Sequence, residues 1–193
     1  QLFLDTMLKN SAYLVSNVEE IQCVCFKTVL AKGYSGTHEI TDDVMKAMEY
    51  FIPVAPAHNI PYISAIKDFQ ALIPTAIFIG SFETDYHSSI PEYRRIYGIP
   101  FQWTENYGLK KMGFHGASHS YVSSYLKENH NIDRKIVSCH LGGSSSLCAI
   151  DYGKSVDSSF GFSPQSGIIH SHRVGDLEPA IIDFLVKQGF SFQ

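Results

Sequence analysis

Cys139-His140-Leu141-Gly142-Gly143-Ser144-Ser145-Ser146 is the stretch on which the reading of this chain turns. Ile136 to Cys139 is rich in apolar residues and runs as a strand into a turn of small residues. No bulky side chain covers the backbone N–H groups there, so an anion can sit against the main chain. Lys135 to His140 and Ser145 to Asp151 form the two arms of a hairpin, and Tyr152-Gly153-Lys154 supplies the next turn before Ser155 to Ser159. The result is an antiparallel meander around a Gly-Ser turn. Further along stand Asp157-Ser158-Ser159-Phe160-Gly161-Phe162 and His170-Ser171-His172-Arg173-Val174-Gly175-Asp176, in which a cationic side chain, Arg173, is set among glycine and acid. Taken singly, the turn is a hairpin and the arginine a surface charge; together they describe a site that handles phosphate.

Working outward, Ile21 to Leu30 is apolar and reads as a buried strand. Thr41-Asp42-Asp43 caps a helix that carries Val44, Met45, Met48 and Phe51 or Ile52 on one side. Tyr62 to Leu72 is a second helix, Thr75 to Phe82 a strand and Pro91 to Tyr97 a short helix. From Ala117 the positions Tyr121, Val122, Tyr125 and Leu126 make an apolar stripe that predicts a packed helix ending near Asn129. Pro179 opens a last helix that Gly189 stops. Strands and helices alternate, so the class is α/β.

The 193 residues carry 15 basic and 19 acidic side chains, scattered rather than clustered, which argues against nucleic acid as a partner. No apolar run approaches the ~20 residues of a membrane helix, and Leu2 to Leu8 lacks the basic leader of a secretory signal, so no membrane association and a cytoplasmic location are expected. The aromatic residues read as core. Cys23, Cys25, Cys139 and Cys148 fall in strand-like runs and read as reduced, buried thiols rather than a disulfide framework. Cys23-Val24-Cys25 puts two thiols on one strand face, without a second pair at zinc-ligand spacing.

Upstream of the Gly-Ser turn stand Met112-Gly113-Phe114-His115-Gly116-Ala117-Ser118-His119, Phe82-Glu83-Thr84-Asp85-Tyr86-His87 and Val54-Ala55-Pro56-Ala57-His58-Asn59. In this order and spacing the segments resemble the acetate kinase family, with its variants of G-F-H-G-T-S-H, H-L-G-N-G, D-T-S-M-G and R-S-G-D-L-D-P. The resemblance implies the two-domain fold of actin, sugar kinases and Hsp70-like ATPases, the ASKHA class with ribonuclease H-like domains, represented here in part. On it, residues 1–88 are the later part of the first, acyl-substrate domain, and residues 89–193 open the second, nucleotide phosphate-binding domain. The expected protein is a cytoplasmic homodimer that moves the γ-phosphate of ATP, with magnesium, to acetate, propionate or butyrate. The chain starts at Gln1, stops at Gln193 and lacks the family's Asn-x-Gly-Ser-Ser-Ser-x-Lys loop, as an interior piece would.

The resemblance also assigns roles. Arg173 matches the arginine that stabilises the transition state, His115 the first histidine of G-F-H-G with a similar role, and Glu83 takes the place of an aspartate that acts as acid or base. His140, Leu141, Gly142, Gly143 and Ser144 form the phosphate loop. Lys27 lies where the family has an arginine for the substrate carboxylate, His58 matches a histidine near the acyl group, and Val29, Ala57, Phe114 and Pro164 fall on acyl-pocket positions. Lys27, Glu83, Gly143, Ser144 and Val174 depart from the family residues. Those departures support a second reading, a catalytically silent relative that serves as an interaction unit. A metal hydrolase built on His115 and His119, four apart, is weaker, because Gly116 stands where the zinc-protease pattern has glutamate.

Overall fold

A computed structural model describes residues 2–9 and 15–191. Gln1 and Gln193, the chain ends read above as marks of an interior piece, lie outside the described residues. The chain divides into two compact units, Gln1–Asp85 and Tyr86–Gln193.

The first unit holds helix α1 (Leu2–Lys9), strands β1 (Cys23–Thr28) and β2 (Gly36–Glu39), helices α2 (Asp42–Tyr50) and α3 (Pro56–Leu72), and strand β3 (Ile77–Phe82). The sheet order is β1-β3-β2, with β1 parallel and β2 antiparallel to β3. The Thr41 hydroxyl caps α2 by accepting from the Val44 N–H, and Val44, Met45 and Met48 are buried with Ile63, Ile66, Phe78 and Phe82 in one core. Helix α3 starts six residues before the predicted Tyr62, with Pro56 in its first turn and Pro61 inside it. Proline at that point removes a single backbone hydrogen bond. Buried Asn59, whose amide donates to the carbonyls of Leu30 and Met48 at 3.0 and 2.8 Å, fastens that early turn to the core.

The second unit contains short helices α4 (Glu92–Arg95) and α5 (Phe101–Tyr107), helix α6 (Gly116–His130), strands β4 (Ile136–Leu141), β5 (Ser145–Asp151) and β6 (Lys154–Ser158), and helix α7 (Pro179–Lys187). A 3-10 stretch, Glu83–Ser89, precedes them. The three strands form the antiparallel meander that the Gly-Ser turn predicts, with His140 opposite Ser146 and Leu141 opposite Ser145.

Three expectations about burial are overturned. Of the cysteines only Cys148 is buried; Cys23, Cys25 and Cys139 are exposed free thiols, because each lies on the outward face of its strand. Cys23 and Cys25 do share a face, with their sulfurs 3.6 Å apart. Many aromatics are exposed rather than core, among them Tyr93, Phe101, Trp103 and Phe184. Helix α6 does not pack through its tyrosine stripe: Tyr121 and Tyr125 face solvent at 68% and 47% exposure. Its buried face is Gly116, His119 and Ser123, since the inward face of β4 against it offers Ser138 and His140 and a polar surface needs polar partners.

Candidate functional site

His115 is the hinge between the G-F-H-G segment and α6. Its backbone is left-handed (φ 57°, ψ 26°), a conformation that disfavours any residue with a side chain by about 1 kcal/mol. The surroundings hold it there. The Nδ1 atom lies 2.9 Å from the Ser146 hydroxyl on β5. The ring stacks on that of His140, with centroids 3.9 Å apart, and meets the edge of Phe160 at 5.2 Å. His140, near the end of β4, is itself fixed by the Ser118 hydroxyl at 3.0 Å from Nδ1. Phe114 is buried edge-on against Phe160.

The turn after β4 leads from this pair of imidazoles. Gly142 and Gly143 have ordinary backbone conformations, and a methyl group on either would meet nothing closer than 3.4 Å. Packing does not require glycine there; what glycine supplies is a bare, exposed backbone that an anion can approach. The turn is tied to the segment that carries the arginine. Ser171 donates its hydroxyl to the Gly143 carbonyl at 2.8 Å, and the Ser145 N–H donates to His170 Nδ1 at 2.8 Å. The Gly167 N–H donates to Asp176 at 2.7 Å and the Asp176 N–H returns to the Gly167 carbonyl at 2.9 Å, which closes the segment at its base. Between these ties, the Arg173 guanidinium donates to the Pro164 carbonyl. His115, His140, the 142–144 turn and the Arg173 segment therefore belong to one hydrogen-bonded assembly in the second unit. Exposed Val174 takes no part in it.

Sequence reasoning missed the groups behind this assembly. Ser146 sits between His115 Nδ1 and His119 Nε2, at 2.9 and 2.8 Å, and His119 Nδ1 reaches the Ser138 hydroxyl at 2.9 Å. The i, i+4 spacing of His115 and His119 was the available signal, and it brings both rings to one serine. Among the described residues no three His, Cys, Asp or Glu side chains group to hold a metal ion. Buried His87 is bonded at both nitrogens: Nε2–H donates to the Phe114 carbonyl at 2.9 Å, and in the neutral ring Nδ1 accepts from the Ser155 hydroxyl at 2.9 Å.

Burial holds His87 and His119 neutral, pushing each down from 6.5 to about 4; the neighbouring His87 and His140 add to the effect on His119. The consequence is acid lability. Above pH 6.5 both rings are neutral folded or unfolded, and below it the unfolded chain binds protons that the folded chain refuses. Stability is therefore present above 6.5 and lost as the pH falls toward 4, by about 3 kcal/mol for His87 alone. Urea midpoints of the second unit between pH 7.5 and 4 should fall over that window, and a flat profile would contradict it.

In the first unit, Lys27 on β1 and Glu83, just past β3, form an ion pair at 3.0 Å. The glutamate side chain is 5% exposed and the lysine 50%, so the pair joins a buried acid to a half-exposed base. Adjacent Val29 is fully buried, His58 is partly buried in the first turn of α3, and Ala57 is exposed.

A model of the acetokinase family matches residues 1–192. The chain belongs to that family. Curated acetokinase relatives include an acetate kinase of Clostridium acetobutylicum, 37% identical over 97% of this chain and 48% of the relative, and one of Desulfitobacterium hafniense, 39% identical over the same shares. Among solved structures, a propionate kinase from Francisella tularensis subsp. tularensis SCHU S4 superposes with a TM-score of 0.88 at 28% identity, covering 98% of this chain and 49% of that one. An acetate kinase from Entamoeba histolytica gives 0.80 at 32% identity, over 97% and 47%. The fold is thus the α/β fold of the actin, sugar kinase and Hsp70 class, and the chain spans about half the length of the curated acetokinases it matches.

Proposed function

We propose that this chain supplies the central chemistry of an ATP-dependent carboxylate kinase, which moves the γ-phosphate of ATP reversibly to acetate, propionate or butyrate to give an acyl phosphate and ADP. The observation that carries the reading is the assembly of His115, His140, the bare 142–144 turn and the Arg173 segment by short hydrogen bonds and ring contacts. A carboxylic acid is already ionised at neutral pH, so its oxygen needs no base to become the nucleophile. The difficulty is charge: two anions meet, and a loose phosphoryl transition state spreads negative charge over its oxygens.

The residues answer that difficulty in parts. Arg173 presents a planar, permanently charged fork to the transferring phosphoryl oxygens. His115 offers a ring N–H to the same oxygens, while backbone N–H groups of Gly142, Gly143 and Ser144 receive the nucleotide phosphates, with His140 at the mouth of that turn. In the first unit, Lys27 receives the substrate carboxylate. Its ammonium has three donors and can hold the acid while it keeps Glu83, which orients it. Val29 and His58, in the same unit, are its acyl-chain residues. Magnesium would enter as part of the nucleotide substrate and would offset the charge of its phosphates.

Phosphorus NMR of the intact gene product with MgATP and each acid in turn is the test. An acyl phosphate resonance should grow with one or more of the three acids as ADP appears. ATP left intact with every acid, under conditions in which MgATP binding is demonstrable, would refute the proposal.

A further inference from the structure

Buried His170 stands between the bare 142–144 turn and the arginine. Both of its ring partners are backbone groups of fixed polarity. The Ser145 N–H can only donate, so Nδ1, 2.8 Å away, presents a lone pair; the Ser166 carbonyl can only accept, so Nε2, at a longer 3.4 Å, carries the proton. One tautomer satisfies both, and its acceptor is aimed at the first residue after the turn. The plane of the ring is held by Phe160, on which it stacks at 10° with centroids 5.3 Å apart. The backbone N–H of the same residue donates to the Arg173 carbonyl at 2.9 Å. His170 thus grips the turn with its side chain and the arginine with its main chain. Two hydroxyls complete the brace. Ser145 donates to the Gly142 carbonyl at 2.9 Å and Ser171 to the Gly143 carbonyl at 2.8 Å, so both glycine carbonyls, which would repel an anion, are drawn to the protein.

We propose that His170 is a positioning residue that fixes the separation of the 142–144 turn and Arg173, through Nδ1 on the Ser145 N–H and through its own N–H on the Arg173 carbonyl. The proposal deepens the carboxylate kinase reading and rests on it for what the two groups bind. A phosphoryl group seated on the turn has to meet the arginine's fork at hydrogen-bond distance, and a misplacement of about 1 Å can cost on the order of 10²-fold in rate. The strands alone do not fix that distance. Leu141 and Ser145 are the last pair of the β4-β5 ladder before the turn, so the ladder holds the turn from one side only. Ser171 holds its tip at Gly143 and His170 its exit at Ser145. With either hold removed, the turn can pivot about the other.

The test uses the intact gene product and three substitutions. His170→Asn keeps an acceptor, Oδ1, at the place of Nδ1 and loses the ring; His170→Phe keeps a ring against Phe160 and loses the acceptor; His170→Ala loses both. Amide exchange at Ser145, read by proton–nitrogen NMR, should stay slow in His170→Asn and rise about 10-fold or more in His170→Phe and His170→Ala. The Ser159 N–H, which donates to the Leu147 carbonyl, reports whether the unit remains folded. If His170→Phe unfolds it, His170→Leu, smaller and also without an acceptor, takes its place. In acyl phosphate formation, kcat should fall about 10-fold or more in His170→Phe and stay within about 3-fold of wild type in His170→Asn. KM for the acid should change little, because the acid is held in the first unit. A residue that only packs would give the reverse order, with His170→Phe close to wild type and His170→Asn impaired. That order, or equal losses in the two, overturns the proposal. An unchanged kcat in all three overturns it as well and leaves the kinase reading standing. Ser145 exchange that follows the acceptor, in a protein whose wild type makes no acyl phosphate from any of the three acids, refutes the kinase reading and leaves the brace standing.

Discussion

Arg173→Ala should reduce acyl phosphate formation by roughly 10³-fold or more while the protein stays folded. The size follows from the chemistry. Removing the arginine that neutralises a phosphoryl transition state costs about 10³- to 10⁵-fold where such residues act, because no water or lysine reproduces two fixed donors at once. The structural cost is small by comparison. Arg173 is half-buried and its described bond is to the Pro164 carbonyl, and the loss of one such bond is worth about 1 kcal/mol. The segment stays closed through Gly167 with Asp176 and through Ser171 with Gly143, neither of which involves the guanidinium. The loss should therefore appear in kcat, with a smaller change in KM and a thermal midpoint within a few degrees of wild type. Arg173→Lys should recover only part of the rate, since an ammonium keeps the charge and loses the fork. A rate within a few-fold of wild type for Arg173→Ala would remove the arginine from the reaction.

How much of this was legible in the sequence depends on which force decides each element. The α2 helix was legible because Thr41, Asp42 and the apolar residues behind them all act locally, and the meander because Gly142 and Gly153 punctuate strands whose pairing is between neighbours. Strand β2 was not, since Gly36-Thr37-His38-Glu39 has no apolar alternation and exists because β3 offers it a free edge. The face of α6 was misread for a related reason. A stripe of tyrosines at helical spacing reads as core, yet each tyrosine has a polar end that water satisfies, while His119 gains two hydrogen bonds only by turning inward. Motif matching singled out His115, His140 and Arg173, because it compares short local patterns, and the fold brings their segments together in one unit. It did not find the role of Ser146 between His115 and His119, 31 and 27 residues away, or the pairing of Lys27 with Glu83, because these contacts join segments far apart in the chain.

Gly113→Ala should destabilise the second unit by about 3 kcal/mol or more and lower its melting temperature by on the order of 10–20 °C, although the change adds a single methyl group. Two costs add. The backbone at Gly113 is left-handed (φ +69°), worth about 1 kcal/mol against alanine. The methyl would also lie 2.5 Å from His87 Cγ and 2.6 Å from Cδ2, well inside contact distance. The imidazole has no way to yield, because it is fully buried and both nitrogens are engaged, by Ser155 and by the Phe114 carbonyl. Gly189→Ala is the matched control in the same unit: its φ is +92° and a methyl there meets nothing within 4 Å, so it should show only the backbone cost. In calorimetry, Gly113→Ala should melt far below Gly189→Ala, and adding Gly113→Ala to His87→Ala should cost little more than the backbone term, since the ring that clashes is gone. Similar melting of the two alanine variants would mean that the His87 ring can move aside. The contact also explains why the glycine stands two residues before His115. The same imidazole that excludes a side chain at Gly113 donates to the carbonyl of Phe114, so the backbone entering His115 is gripped from one buried ring just before it turns left-handed toward Ser146.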